Sequence, residues 1–330
     1  MAIQQMLLGI GGQSTALFGD RAIVAGGYAW PSPATGANTR DIEYYSIATN
    51  SGNASDFGDL NADSEYGGAT VSNGYTAVIL GFSDTPAQWG NTKYVTIATT
   101  SGASNWGTTL ADNNYGGAFV TNTDRAIWAG GQWYPGYPGG TPATTDMAAL
   151  SMGAPDNMAV IYGDLTSPAK LSFGYVSNLT RGVIAGGNIN TPPYRKNEIQ
   201  YINIANNANA SDFGDLPSNL DQMTGIFSST RGIFCGGLYS PGGGIVWQQS
   251  THYVTIDTTG NSTPFGSMVR KNRIMAGASN ETRGTLAGGD SEPQTNPEQI
   301  QYFTIATPSS AADFGDLGAG RVYGGGASGD

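Results

Sequence analysis

The chain has 330 residues, a formal charge of −11, 50 glycines and only 12% charged residues. Its acidic balance argues against nucleic-acid binding, which needs a basic surface to displace phosphate counterions, and the same sign would be repelled by anionic lipid surfaces. A single cysteine (Cys235) and a single histidine (His252) exclude an internal disulfide and a Cys/His zinc site, and no run approaches the roughly 20 apolar residues of a membrane helix.

In chain order, "MAIQQMLLGIGG" comes first. It lacks a charged n-region and its apolar run is too short for a signal peptide, so export by that route is not expected. Residues 1–13 read instead as an N-terminal extension that docks elsewhere. A repeat follows. Its first segment, a, is "RAIVAGG" (21–27), "TAVILGF" (76–82), "RAIWAGG" (125–131), "RGVIAGG" (181–187), "RGIFCGG" (231–237) and "RGTLAGG" (283–289), with starts 55, 49, 56, 50 and 52 residues apart. A period near 50 is that of propeller blades. Segment b aligns Tyr44, Tyr94, Tyr201, Tyr253 and Tyr302, each three residues before an isoleucine, in alternating β-branched and aromatic runs that predict strands. Segment c is "NASDFGDL" and its relatives, with an aromatic residue in all six copies: Phe57, Trp106, Tyr162, Phe213, Phe265 and Phe314. Segment d ("GATVSN", "GAFVTN", "FGYVSN", "TGIFSS") leads through a polar turn into the next unit.

No window holds helical periodicity. Four strands repeated six times must stack radially to shield their edges. The expected fold is all-β: a six-bladed β-propeller with four antiparallel strands per blade over 14–330, its units at about 21–73, 74–122, 123–178, 179–229, 230–280 and 281–330. The Gly-Gly doublets are expected to end the innermost strands. Either the C-terminal "YGGGASGD" or the N-terminal "STALFGD" (14–20) should complete the ring, with the N-terminal segment favoured as a contributor.

The order apolar run–Gly-Gly, then Tyr, then an aromatic with leucine two or three residues on, resembles a kelch-type blade, as in the propeller of galactose oxidase. The gap of 13 residues from Tyr44 to Phe57 exceeds the usual kelch spacing. The version "RG-apolar-AGG … YxTIAT … DFGDL" is similar to repeats in virion proteins of tailed phages, especially cyanophages, and "MAIQQMLLGIGG" is similar to N-termini of phage tail-associated proteins. The resemblance implies a tail- or capsid-associated virion component such as a tail fibre, knob or decoration protein. Its partners would be other virion proteins or a host-surface polysaccharide, with a homo-oligomer on the particle.

Three copies of Asp-Phe-Gly invite a kinase reading, but a kinase also needs a glycine-rich loop, a strand lysine and a His-Arg-Asp loop, and the single histidine here sits in "THYVTI". Galactose-oxidase chemistry needs histidine ligands that one His and one Cys cannot supply. His252 aligns with Glu43, Lys93, Gln200 and Gln301, read as a surface face; Cys235 aligns with alanines, read as a buried structural thiol. Acidic turns such as "DLNADSE" match no calcium-loop spacing. Arg21, Arg125, Arg181, Arg231 and Arg283 open segment a, and Asp56, Asp212 and Asp313 open segment c. The expectation is a structural Arg–Asp tie and no catalytic residue, metal or cofactor.

The irregular part of the repeat is the a–b loop, rich in proline and aromatics. It gathers Tyr28, Trp30, Trp89, Trp133, Tyr134, Tyr137, Tyr194, Tyr239 and Trp247 on one face. Flat apolar rings with few rotors suit a sugar or a protein partner. The same residues would otherwise stiffen the loops by proline–aromatic packing. Three functions follow: a non-enzymatic virion binding module, a cellular kelch-type interaction scaffold, and a carbohydrate-active enzyme.

Overall fold

Alternating β-branched and aromatic residues broken by Gly-Gly and Asn turns leave the chain no regular structure but short strands, and short strands need partners. In the computed structural model they find them, among the described residues, in six larger sheets and three two-stranded ones, and the six larger sheets are the blades. The structure describes residues 17–29, 39–61, 65–66, 69–80, 82–83, 91–108, 116–131, 143–153, 155, 157–169, 174–189, 192–240, 244–293 and 297–330.

Each blade has four antiparallel core strands in the order d, a, b, c. Blade one joins Gly325–Gly329, Arg21–Ala25, Asp41–Ser46 and Ser55–Asp59. Blade two joins Thr70–Ser72, Thr76–Leu80, Asn91–Thr96 and Ser104–Thr108; blade three joins Ala118–Thr121, Arg125–Ala129, Thr144–Ser151 and Val160–Ala169. Blade four joins Gly174–Ser177, Arg181–Ala185, Lys196–Asn203 and Ser211–Asp221, with the short hairpin Leu238–Tyr239 and Val246–Trp247 added at its outer edge. Thr224–Phe227, Arg231–Cys235, Ser250–Thr255 and Thr263–Ser267 make blade five; Ala276–Ser279, Arg283–Ala287, Gln299–Thr304 and Ala312–Asp316 make blade six.

The blades are therefore offset from the sequence repeats by one strand: segment d belongs to the blade that follows it. The six d strands touch one another in a closed cycle, so they, and not the Gly-Gly strands, are innermost. This corrects the placement read from sequence. The glycines at the axis lie in segment d. A Cβ on Gly225 would stand 1.9 Å from the Tyr175 carbonyl oxygen, and one on Gly277 or Gly326 would stand 2.5 Å from the main chain of the next inner strand. The Gly-Gly doublets instead end the second strands, in left-handed conformation (Gly236 φ 66°, Gly237 φ 97°), where the chain leaves toward the a–b loop.

The ring is closed by the C-terminal strand, which pairs with Arg21–Ala25 along its whole length (Arg21 opposite Gly329, Ala25 opposite Gly325). The N-terminal segment adds no strand among residues 17–20; its residues 14–16 lie outside the described residues, as does the extension 1–13. Leu17 is buried, and the Asp20 N–H donates to Asp330 Oδ1 at 2.9 Å, tying the two ends of the described chain together.

Every b–c pair slips register at the Asp-Phe-Gly position. Ile42 faces Gly58 and Glu43 faces Asp56, leaving Phe57 as the extra residue of a β-bulge. Gln200 faces Asp212 and Ile199 faces Gly214 in the same way, so Phe213 is bulged. The extra residue swings its ring into the seam between blades. The seams hold the apolar core: Ile23, Ile42 and Phe57 of blade one pack with Ala77, Val95 and Ile97 of blade two, and the pattern recurs around the ring.

Candidate functional site

Strand direction sorts the connections onto two faces. The d–a turns and b–c turns share one, and the a–b loops and c–d connections share the other. The first face is built by repetition. Arg21, Arg181, Arg231 and Arg283 lie over the b-strand tyrosine of their own blade, 4.5–4.9 Å from the ring centroid. Each tyrosine meets the bulged Phe edge to face, as Tyr201 does with Phe213 at 6.2 Å and 73°.

The guanidinium then reaches the b–c turn of the next blade. Arg21 donates to the Ile97 and Ala98 carbonyls at 3.0 and 2.7 Å, and Arg231 to Ile305 and Ala306 at 2.8 and 2.6 Å. Arg181 donates to Ile256, and Arg283 to Ile47, Thr49 and Asn50. Arg125 donates to Asn207 Oδ1, beside Tyr162, whose hydroxyl donates to Asn203 and Asn206. The expected Arg–Asp tie is thus replaced: the intervening tyrosine fills the space between segments a and c of one blade. Asp56 Oδ1 accepts from the Gly58 N–H, and Asp313 Oδ1 accepts from Gln299 Nε2, both beside their own bulge. Trp106, Phe265 and Phe314 are buried like Phe57, Phe213 and Tyr162.

A second correction concerns the column read as surface. Glu43, Lys93, Gln200, His252 and Gln301 are all buried. Three of them stitch blade to blade: Gln200 Oε1 accepts from the Thr166 N–H, Gln301 Oε1 from Val269, and Glu43 Oε1 from Gly318, each at 2.8 Å. Glu43 also accepts from Arg321 Nη2 at 2.7 Å, an ion pair buried almost completely. His252 Nδ1 has no hydrogen-bond partner, and burial lowers its pKa. Cys235 is a buried free thiol, and burial alone pushes its pKa up.

The opposite face is where the blades differ. Asp221, fully buried at the end of a c strand, accepts from Arg195 Nε at 2.8 Å and Asn188 Nδ2 at 3.1 Å. Burial raises its carboxyl pKa although Arg195 and Asn188 oppose the shift. Arg195 also donates to Ser240, so one carboxylate pins the a–b loops of blades four and five. Next to it, Arg273 pairs with Asp290 at 2.6 Å, donates to Gln222 at 2.5 Å, and lies 4.7 Å from the Trp247 ring centroid. Burial raises the nearby Tyr323 phenol, with Arg273 working against the shift. A main-chain ladder joins the c–d connections beneath: Ile274 N–H donates to Gln222 O, and Tyr323 N–H to Ile274 O.

Of the expected aromatic rim, four residues fall among the described ones. Tyr28 is half-buried in a short strand, Tyr28–Ala29, paired with Arg321–Val322. Tyr239 and Trp247 stand on facing strands of the hairpin, where Trp247 is held by Arg273. Tyr194 is 52% exposed and precedes the anchoring Arg195. Trp30, Trp89, Trp133, Tyr134 and Tyr137 lie outside the described residues.

Sequence reasoning missed Asp221, Arg195, Arg273 and Asp290. A signal was there: five of the ten arginines open segment a, and Arg195, Arg273 and Arg321 stand outside every repeated column. Among the described residues, no group of three or more His, Cys, Asp or Glu is placed to hold a metal ion.

No protein-family model matches the chain, and no curated protein matches it. The fold is that of a six-bladed β-propeller, an architecture that fits a binding or scaffold module.

Proposed function

We propose that this protein is a non-enzymatic binding module of a tailed-phage virion, contacting another virion protein or a host-surface polysaccharide through its a–b loop face. One observation carries the reading. The buried Asp221 fixes the loops of blades four and five to the ring while Tyr194, next to its anchor Arg195, keeps its ring in solvent. A rigid scaffold presenting a flat exposed ring spends little entropy on binding. The acidic chain favours neutral or basic partners over anionic ones. Assignment to a virion rests on the likeness of the "RG-apolar-AGG … DFGDL" repeats to kelch-like repeats of phage virion proteins, and on the apolar segment 1–13, suited to docking.

The test combines sedimentation with purified particles and a glycan array. Co-sedimentation, or retention of a neutral polysaccharide, is expected, and Tyr194→Ala with Trp133→Ala should weaken binding about tenfold with an unchanged melting temperature. A large fall in melting temperature would mean that the aromatics only pack the loops. Absence from particles with retention on host proteins would favour the cellular scaffold. Hydrolysis of a bound polysaccharide, abolished by an Asp→Asn change, would overturn the non-enzymatic reading.

A further inference from the structure

Among the described residues eight large apolar side chains are exposed, and they divide between the two faces. Tyr194, Ile245, Val246 and Val269 stand on the a–b loop face. Tyr75, Val160, Ile161 and Leu179 stand on the face of the d–a and b–c turns, all of them in blades two, three and four. Each departs from its column. The two residues before the bulged aromatic are Ser-Asp, Ser-Asn, Ser-Asp, Thr-Pro and Ala-Asp in five blades; in blade three they are Val160 and Ile161, 56% and 78% exposed. Tyr75 takes a position that is Asp or Thr in the other d–a turns, and Leu179 one that is Gly, Thr, Ser or Glu. Apolar side chains scattered singly over a surface are ordinary, but four gathered on one half of one face are not.

Hydrogen bonds join these positions across blade three. Asn73 Nδ2 donates to Thr123 O, Asn122 Nδ2 to Leu179 O, and Asn207 Nδ2 to Ile161 O. The polar groups between them are spent. The Tyr75 and Thr76 N–H groups donate to Asn73 Oδ1, those of Asp124 and Arg125 to Asn122 Oδ1, and the Arg125 guanidinium to Asn207 Oδ1. Backbone and side-chain groups already paired in this way can be taken out of water at little cost.

Charge divides this face along the same line. Among the described residues, the turns and c-strand starts of blades five, six and one carry Asp20, Asp56, Asp257, Glu281, Asp313 and Asp330 against three arginines. Those of blades two, three and four carry Asp124 and Asp212 against Arg125 and Arg181. A second copy of the chain brings the same formal charge of −11, so it is repelled by the acidic half and meets no net charge on the apolar one.

We infer that the apolar half of this face binds a second copy of the chain about a two-fold axis, blades two to four against blades two to four. A two-fold sets like patches on each other and turns the two acidic halves apart. Both a–b loop faces stay free in the pair, and the pairing does not depend on what they contact.

Sedimentation velocity of the full chain over a dilution series should show a monomer–dimer equilibrium, strengthened by added salt, which screens the repulsion between two acidic copies. Ile161→Asp with Leu179→Ser installs residues that other blades carry at those positions. It should weaken the dimer at least about tenfold with an unchanged circular-dichroism spectrum. Ile245→Ser, on the opposite face, should leave the dimer intact. A monomer at every concentration, a dimer that the double variant leaves intact, or assembly that grows past two copies would overturn the inference. A monomer whose sedimentation with particles is lost in the double variant would give the patch to a different protein.

Discussion

Proline at 217 decides what His252 can do. In the seams where the b-strand polar residue is satisfied, the preceding blade offers a main-chain N–H just after its c-strand leucine or methionine: Thr166 to Gln200, Val269 to Gln301, Gly318 to Glu43. In blade four that position is Pro217, which has no N–H, and the receiving position in blade five is His252 with Nδ1 unpartnered. Burial holds the imidazole neutral by lowering its pKa from the ordinary 6.5. The folded state thus binds the proton less readily than the unfolded chain. The neutral imidazole's contribution is complete above about pH 6.5 and is lost as pH falls from there toward the folded pKa. The chain has a single histidine, so no other imidazole contributes. Thermal melts between pH 7.5 and 5 should show the wild type losing stability on acidification, and His252→Gln, the residue used in two other blades, should flatten that part of the curve. An unchanged slope in the variant would show that His252 is solvated.

At the scale of the strand, Asp-Phe-Gly is a device for turning a bulge against a neighbouring blade. The aspartate caps the bulge through the glycine N–H, the phenylalanine is the extra residue that fills the seam, and the glycine lets the next b–c turn come close. At Gly214, φ is 147° and an added Cβ would lie 2.5 Å from the Gly260 main chain. Gly214→Ala should therefore cost roughly 1–3 kcal/mol in urea unfolding, the scale of a residue forced into a glycine-only conformation. Asp212→Asn should stay within about 0.5 kcal/mol, as for exposed substitutions. The reverse order would mean that the aspartate holds something the strand geometry does not require. Six copies of an aromatic column make the strands and their number legible, because periodicity survives variation at any one site. Which blade owns segment d is not legible, since a period reads the same wherever the unit is cut. The polar b column looked exposed because its residues are hydrophilic; burial became affordable only through N–H groups on another blade. Asp221 and its arginines, used once each, leave no periodic trace.

For the whole molecule, closure is the step on which the ring depends. Gly325–Gly329 is the inner strand of blade one and touches the inner strands of blades two and six, so the last residues of the chain complete three neighbours at once. On the face of the d–a turns a belt of side-chain bonds runs across the blades. Asn122 Nδ2 donates to Leu179 O and Asn178 Nδ2 to Ser229 O, and Asn280 Nδ2 donates to Asp20 Oδ1 where the two ends of the described chain come together. Asp330 there accepts from the Asp20 N–H and donates its own N–H to Gly74 O. Deleting residues 325–330 uncovers Ala22, Val24 and Ile23, all fully buried, and leaves the Arg21–Ala25 edge unpaired. The melting temperature should fall by roughly 10 °C or more, a loss of several kcal/mol in a domain of this size. A circular permutant that joins Asp330 to Asp20 and opens at the exposed 257–260 turn keeps every strand pair and should melt within a few degrees of a parent trimmed to begin at Asp20. If the deletion is tolerated, the inner strand is dispensable and closure lies elsewhere. If the permutant alone fails, the order in which the blades form, and not the finished set of contacts, controls assembly of the ring.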